Sequence, residues 1–176
     1  MSDPSSFSLT DSRNGRMLLF GSLYFAQGAI ATYVLVFNNL YLRAFGAAAW
    51  QLSLLNGLLV LPFILKIGIG LLSDKVKLHL PLLGKGYRRP YISLGLIFIS
   101  VGGIAAAFVP PVDMYPLFVV TALFIALGLA LYDTVADGYA IDVTPPEEQG
   151  QIQGVMVVSR AFGLVLLASV YGRIIN

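Results

Sequence analysis

Residues 54–72, LLNGLLVLPFILKIGIGLL, decide the fold. The stretch carries a single charge, Lys66, and no alternation of apolar and polar residues, so it does not read as a barrel strand. As a helix rising 1.5 Å per residue it covers roughly the 30 Å hydrocarbon thickness of a bilayer. Residues 117–132, LFVVTALFIALGLALY, read the same way. Outward from these two, apolar segments fall at about 16–42, 50–73, 91–109, 114–143 and 151–175, the fourth opened by the Pro110–Pro111 break. The expected fold class is an all-α, polytopic membrane helix bundle of five transmembrane helices occupying 15–176. Residues 1–14, MSDPSSFSLTDSRN, have no apolar core, and the run after them is too long for the apolar region of a signal peptide. They read as a short, poorly ordered cytoplasmic tail that stays on the protein.

Composition supports a bilayer setting. The 176 residues are 57% hydrophobic and 11% charged, with a mean hydropathy of +0.82, whereas a soluble domain is about 45–50% apolar and about 25% charged. That excludes an ordinary soluble enzyme and a disordered chain. With no cysteine there is no disulfide, thiol nucleophile or cysteine metal site. His79 is the single histidine, which argues against a histidine metal site or a Ser–His–Asp triad. No nucleophile–base pair, metal cluster or phosphate-binding glycine loop is present, so the protein reads as no enzyme and needs no cofactor. The net charge of +2 is too small for a nucleic-acid partner.

The basic residues set the expected topology instead. Arg13, Arg16, Lys75, Lys77, Lys85, Arg88 and Arg89 lie on one side of the spans, and Arg43 and Arg173 on the other. The positive-inside rule places the N-terminus and the 74–90 loop in the cytoplasm, with Glu147 and Glu148 on that side and the C-terminus opposite.

Four ionisable residues fall inside the spans: Lys66, Asp133, Asp137 and Arg160. By helical rise, Lys66 lies about 10 Å from the end of its span, Asp137 and Asp133 about 9 and 15 Å, and Arg160 about 13 Å. All four therefore sit at a similar depth, in the cytoplasmic half of the expected bundle. Charges there cost about 2.5–3.5 kcal/mol on insertion scales and usually face protein or water along a pathway. Asp133 and Asp137, four residues apart, share a helix face, whereas Asp142 lies on the opposite side of the helix near the loop. Three roles fit: a static ion-pair cluster, proton or ion coupling, and contact with a charged group of a solute. Tyr24, Gln27, Asn38 and Asn39 on the first span, with Asn56 on the second, form a candidate solute lining or a set of interhelical hydrogen bonds. Gly57, Gly68, Gly70, Gly102, Gly103, Gly128 and Gly163 would let helices approach closely, and Pro62 would bend the second span.

Two loops carry a family resemblance. Residues 70–91, GLLSDKVKLHLPLLGKGYRRPY, place Gly70, Asp74 and Lys75 ahead of Lys85, Arg88 and Arg89. This resembles the signature between helices two and three of the major facilitator superfamily, lengthened here by LHLPLLGK. Residues 133–154, DTVADGYAIDVTPPEEQGQIQG, resemble the junction of helices four and five, with Gln149 where many members carry arginine. With GYRRPYISLG, the pattern looks closest to the folate–biopterin transporter and muropeptide permease branch, with the bacteriochlorophyll-delivery branch next. The resemblance implies a cytoplasmic gate at Gly70, Asp74, Lys75, Arg88 and Arg89. It also implies an N-terminal half lacking its sixth helix, which would work as part of a longer protein or beside another membrane chain.

The expected function is that of a secondary active transporter, or an N-terminal part of one, moving a small organic solute by alternating access. The alternative is a non-transporting membrane scaffold or pigment-delivery subunit, because an incomplete bundle must cover its open face. Expected partners are the lipid bilayer, a small-molecule solute, and a second half or other membrane subunits.

Overall fold

The computed structural model describes residues 8–80 and 84–175. Five helices are long and apolar enough to cross a membrane: α1 (Arg13–Ala44), α2 (Ala49–Lys75), α3 (Arg89–Ala107), α4 (Tyr115–Val143) and α5 (Pro146–Ile175). The chain is thus an all-α membrane helix bundle. Between α2 and α3 a short antiparallel hairpin pairs β1 (Leu78–Leu80) with β2 (Gly84–Gly86), Leu78 opposite Gly86. This segment was expected to be loop throughout.

Local chemistry explains the boundaries. Residues 1–7 of the expected tail lie outside the described residues, but the tail does not extend to residue 14. Leu9–Asp11 form one 3-10 turn, and Ser12 caps α1 by accepting from the Gly15 backbone N–H at 3.1 Å. The fifth helix starts at Pro146, ahead of the position near 151 expected from hydropathy. A proline at the first turn followed by Glu147 and Glu148 suits a helix N-terminus, yet that turn is polar and invisible to an apolar window.

Two helices depart from regular geometry. In α1 the stretch Tyr33–Phe37 forms a π-turn. An aromatic ladder (Tyr33, Phe37, Tyr41, Phe45) runs along it with ring centroids 4.8–5.4 Å apart, and Phe37 also meets Tyr171 of α5 at 4.7 Å. The second helix is broken at Val60 and Leu65 into Ala49–Leu59, Leu61–Ile64 and Lys66–Lys75. Pro62, which lacks an N–H and clashes with the carbonyl one turn earlier, lies between the breaks. Lys66 opens the last segment, so its direction depends on that break.

Packing is uneven. The two closest helix pairs are α1 with α5 and α3 with α4, while α2 lies along α4. Both tight crossings use glycine at backbone contact. A Cβ on Gly28 would collide with the Arg160 carbonyl, and one on Gly163 with the Phe25 carbonyl. Across α3 and α4, a Cβ on Gly95 would lie 2.8 Å from the Gly128 oxygen, and one on Gly128 2.6 Å from the Gly95 oxygen. By contrast, a Cβ at Gly57, Gly68 or Gly103 would meet nothing within 4 Å among the described residues. Those three expected packing glycines hold no close crossing here.

The fourth helix is the axis of the bundle. One buried cluster around it joins Val34, Leu55, Phe118, Ala122 and Ile125; the other, nearer the 74–90 loop, joins Phe20, Tyr24, Tyr91, Tyr132, Val135 and Ile152. The remaining faces carry exposed apolar residues such as Ile67, Phe108, Val158 and Ile174. In water these would be a liability; against lipid tails they cost nothing.

Candidate functional site

Two helices, α2 and α5, each bring a cation to α4, and α1 brings a phenol hydroxyl. Asp133 is buried, 4% exposed. Lys66 of α2 donates to its Oδ2, and Arg160 of α5 lies 4.0 Å from its Oδ1. The Lys66 ammonium also stands 5.5 Å from the Phe63 ring centre, within cation–π range. One turn along, Asp137 is exposed and accepts a hydrogen bond from the buried Tyr24 hydroxyl of α1. Asp133 and Asp137 therefore point to different surroundings: one to two cations, the other to a neutral phenol. The second link between α1 and α4 is the Tyr132 hydroxyl, which donates to the Leu23 carbonyl at 2.8 Å.

A cavity of about 410 Å³ opens between α4 and α5 at this level. Tyr24, Asp137 and Arg160 form its deep end; Ala140, Ile141, Ile152, Met156 and Val157 are its apolar walls; Thr144, Gln149 and Gln153 lie toward the loops. Thr144 is buried, and its hydroxyl has no hydrogen-bond partner among the described residues. Gln149 donates to the Thr144 carbonyl at 3.4 Å. The cavity can hold a drug-sized solute with an apolar body, a cation at one end and hydrogen-bonding groups at the other.

The candidate lining residues separate. Tyr24 lines the cavity. Gln27 and Asn38 are fully buried in α1, and both side-chain amides lack partners among the described residues. Asn39 and Asn56 instead pair with each other, amide to amide at 2.8 and 3.1 Å, joining α1 to α2 near the turn that connects them and away from the 74–90 loop. Gln149 appears in the sequence only as a departure from the loop motif; Thr144 falls at the junction of two spans, where hydropathy carries no signal, and Gln153 and Met156 are uncharged residues of the fifth span whose facing the sequence leaves open.

Two ion-pair nodes close the loop end. Arg88 donates to Asp142 at 2.7 Å, Asp74 at 2.6 Å and Ser73 Oγ at 3.2 Å, tying α2, α3 and α4 together. The hydrogen bond it donates to Asp142, then that to Asp74, holds the guanidinium above its already alkaline range against some loss of hydration. It lies over Gly138, where a Cβ would come within 2.9 Å of it. Within the sequence motif, Gly70 makes only an ordinary 3.6 Å contact with Thr134, and Lys75 and Arg89 are exposed. The Lys85 side chain lies outside the described residues. The other node was not anticipated: Arg16 donates to Glu148 at 2.7 and 3.1 Å and to the Thr10 carbonyl at 2.6 Å, and Arg13 donates to Gln151. It joins α1 to α5 across more than a hundred residues of sequence, a separation that no local motif reports.

A bundle of membrane-spanning helices with ionisable residues turned into a cavity fits the class of membrane transport proteins. The sequence profile of the BT1 family matches residues 28–176, and the chain belongs to that family. The family lies within the major facilitator superfamily and is a transporter family. No curated protein and no solved structure matches the chain. The protein is therefore an integral, multi-pass membrane protein of transporter type.

Proposed function

We propose that the protein is a secondary active transporter, or the N-terminal half of one, that moves a small organic solute by alternating access, and that it belongs with the folate–biopterin branch. The observation that carries the reading is the cavity between α4 and α5, open at mid-depth with Asp137 and Arg160 in its wall. Lys66, Asp133, Asp137 and Arg160 are the coupling and solute-contact residues. Tyr24 lines the solute path, with Gln27, Asn38, Asn39 and Asn56 further along α1 and α2. The Arg88–Asp74–Asp142 and Arg16–Glu148 nodes form the gate. They lie on the cytoplasmic side with the N-terminus, and a second half or another membrane subunit covers the remaining wall.

Uptake of tritiated biopterin and folate into proteoliposomes containing the protein tests this. Accumulation lost in both Asp137→Asn and Arg160→Gln, with the helix content intact, is the expected result. A folded protein that takes up neither compound, from any imposed ion gradient, would favour the scaffold role.

A further inference from the structure

We infer that the β1–β2 hairpin and the two helix ends beside it form a docking surface for anionic phospholipid, with Lys75, Lys77 and Arg89 on the headgroup phosphate. This goes beyond the transporter reading and does not depend on where a solute binds.

The hairpin presents charge at the edge of the apolar layer. It joins α2, which ends at Lys75, to α3, which begins at Arg89. It is fastened to α3: the Tyr91 hydroxyl donates to the Val76 carbonyl at 3.0 Å, and a Cβ on Gly86 would lie 3.6 Å from the Pro90 ring. Side chains alternate along a strand. Leu78 packs on the buried cluster of Phe20, Tyr91 and Tyr132, which turns Lys77 and His79 out to the exposed side. Lys85 stands opposite His79 in register.

Charge at this end is unbalanced. No acidic residue occurs from 75 to 112. The two carboxylates that reach the hairpin end, Asp74 and Asp142, are both taken by Arg88. Lys75, Lys77 and Arg89 are exposed and make no ion pair among the described residues. The two arms of the connection are held together at Arg88–Asp74, 2.6 Å, and at Lys77–Tyr87, 5.1 Å to the ring centre, which gathers the three cations at one place. Basic clusters immediately beside a spanning helix attract anionic lipid. The neighbouring side chains select that partner. Leu71, Leu72 and Val76 are exposed beside the cations, and Tyr87 turns an amphipathic ring outward. A soluble polyanion would gain nothing from those apolar groups, whereas a phospholipid covers them with its chains while its phosphate meets the cations.

The test puts a reporter on the surface. Trp50 is the single tryptophan and opens α2 at the end away from the hairpin, so full-length protein carrying Trp50→Phe and Tyr87→Trp fluoresces from the hairpin alone. Tryptophan keeps an aromatic face for Lys77. The protein is reconstituted in phosphatidylcholine bilayers and quenched with brominated phosphatidylglycerol or brominated phosphatidylcholine. At about 0.1 M salt phosphatidylglycerol is expected to associate about fivefold more strongly or better, the factor for a single cation at an anionic surface. At about 1 M salt, where the screening length is about 3 Å, the preference should fall toward one. Lys75→Gln, Lys77→Gln and Arg89→Gln together should abolish it. Arg43→Gln with Arg173→Gln, which removes cations from the opposite end, should leave it unchanged. Equal quenching by the two lipids, a preference indifferent to salt, or one that survives loss of the three cations would overturn the inference. So would a preference lost equally with the far pair. Glycerol 3-phosphate, a headgroup without chains, should not displace the lipid; displacement at equal concentration would assign the surface to a soluble phosphate and overturn the lipid assignment.

Discussion

Asp133 and Asp137 sit one helical turn apart, yet burial divides their roles. Asp133 is enclosed and held by Lys66, so its structural cost can be measured. Removing one member of a buried ion pair leaves an uncompensated charge and costs about 3–5 kcal/mol when both partners are enclosed. Because the Lys66 side chain is 31% exposed, the cost here should fall at the low end. Asp133→Ala should therefore lower the thermal midpoint in detergent sharply. The double variant Asp133→Ala, Lys66→Met should recover much of that loss; if the double variant is as unstable as the sum of both singles, the pair is not a coupled unit. Gln27 and Asn38 show the reverse arrangement: polar side chains as deeply buried as any leucine in α1, with no partner among the described residues. Such groups are expensive in hydrocarbon.

Between helices, the glycines separate into those that make a crossing and those that do not. Gly163 and Gly28 bring the α1 and α5 backbones together, where a side chain has nowhere to go. Gly163→Leu should destabilise the bundle by about 1–3 kcal/mol or more, the usual range for overpacking. Gly103→Leu, which projects into open space, should leave the thermal midpoint nearly unchanged. Equal effects would refute the glycine crossing. Thr32 strengthens the same crossing by donating to the Gly28 and Leu164 carbonyls at 2.9 and 3.2 Å. At the loop end, Arg88 joins α2, α3 and α4 through two carboxylates. A group whose folded pKa is raised contributes below its unfolded value and loses that contribution only as pH climbs through the folded one. Arg88 therefore stays charged across the whole working range, and the node does not weaken on the alkaline side of neutrality.

For the whole molecule, the bundle resolves into an α1–α5 pair and an α2–α3–α4 group. Each has its own node at the loop end, and the two meet through Tyr24–Asp137, Tyr132–Leu23, Arg160–Asp133 and, at the opposite end, the Asn39–Asn56 pair. Motion between these groups would open or close the cavity without breaking either glycine crossing. The helix count also makes a topological prediction. Because the chain has no cysteine, single cysteines report cleanly. Lys77→Cys and Gly150→Cys should react with a membrane-impermeant maleimide from one side of sealed vesicles, and Asp113→Cys from the other. Labelling of all three from the same side would refute a five-span arrangement.

Much of the architecture was legible in the residues, for a definite reason. A helix that crosses a bilayer must be about twenty residues long and apolar, a one-dimensional constraint that segments such as 54–72 and 117–132 satisfy openly. The same constraint makes the rare intramembrane charges conspicuous, so Lys66, Asp133, Asp137 and Arg160 stood out before any coordinates. Helix ends were less legible where polar caps replace hydropathy, as at Pro146, and Gly28 and Gly95 look no different in sequence from Gly57 or Gly103. Only the tertiary structure decided which glycines touch, that Asp133 holds Lys66 while Asp137 holds Tyr24, and that Arg16 reaches Glu148. Those outcomes depend on the rotation of each helix about its own axis and on its crossing with distant neighbours. In a bundle that is apolar almost all round, periodicity leaves that rotation open, and only the fit of backbones and the pairing of buried charges sets it.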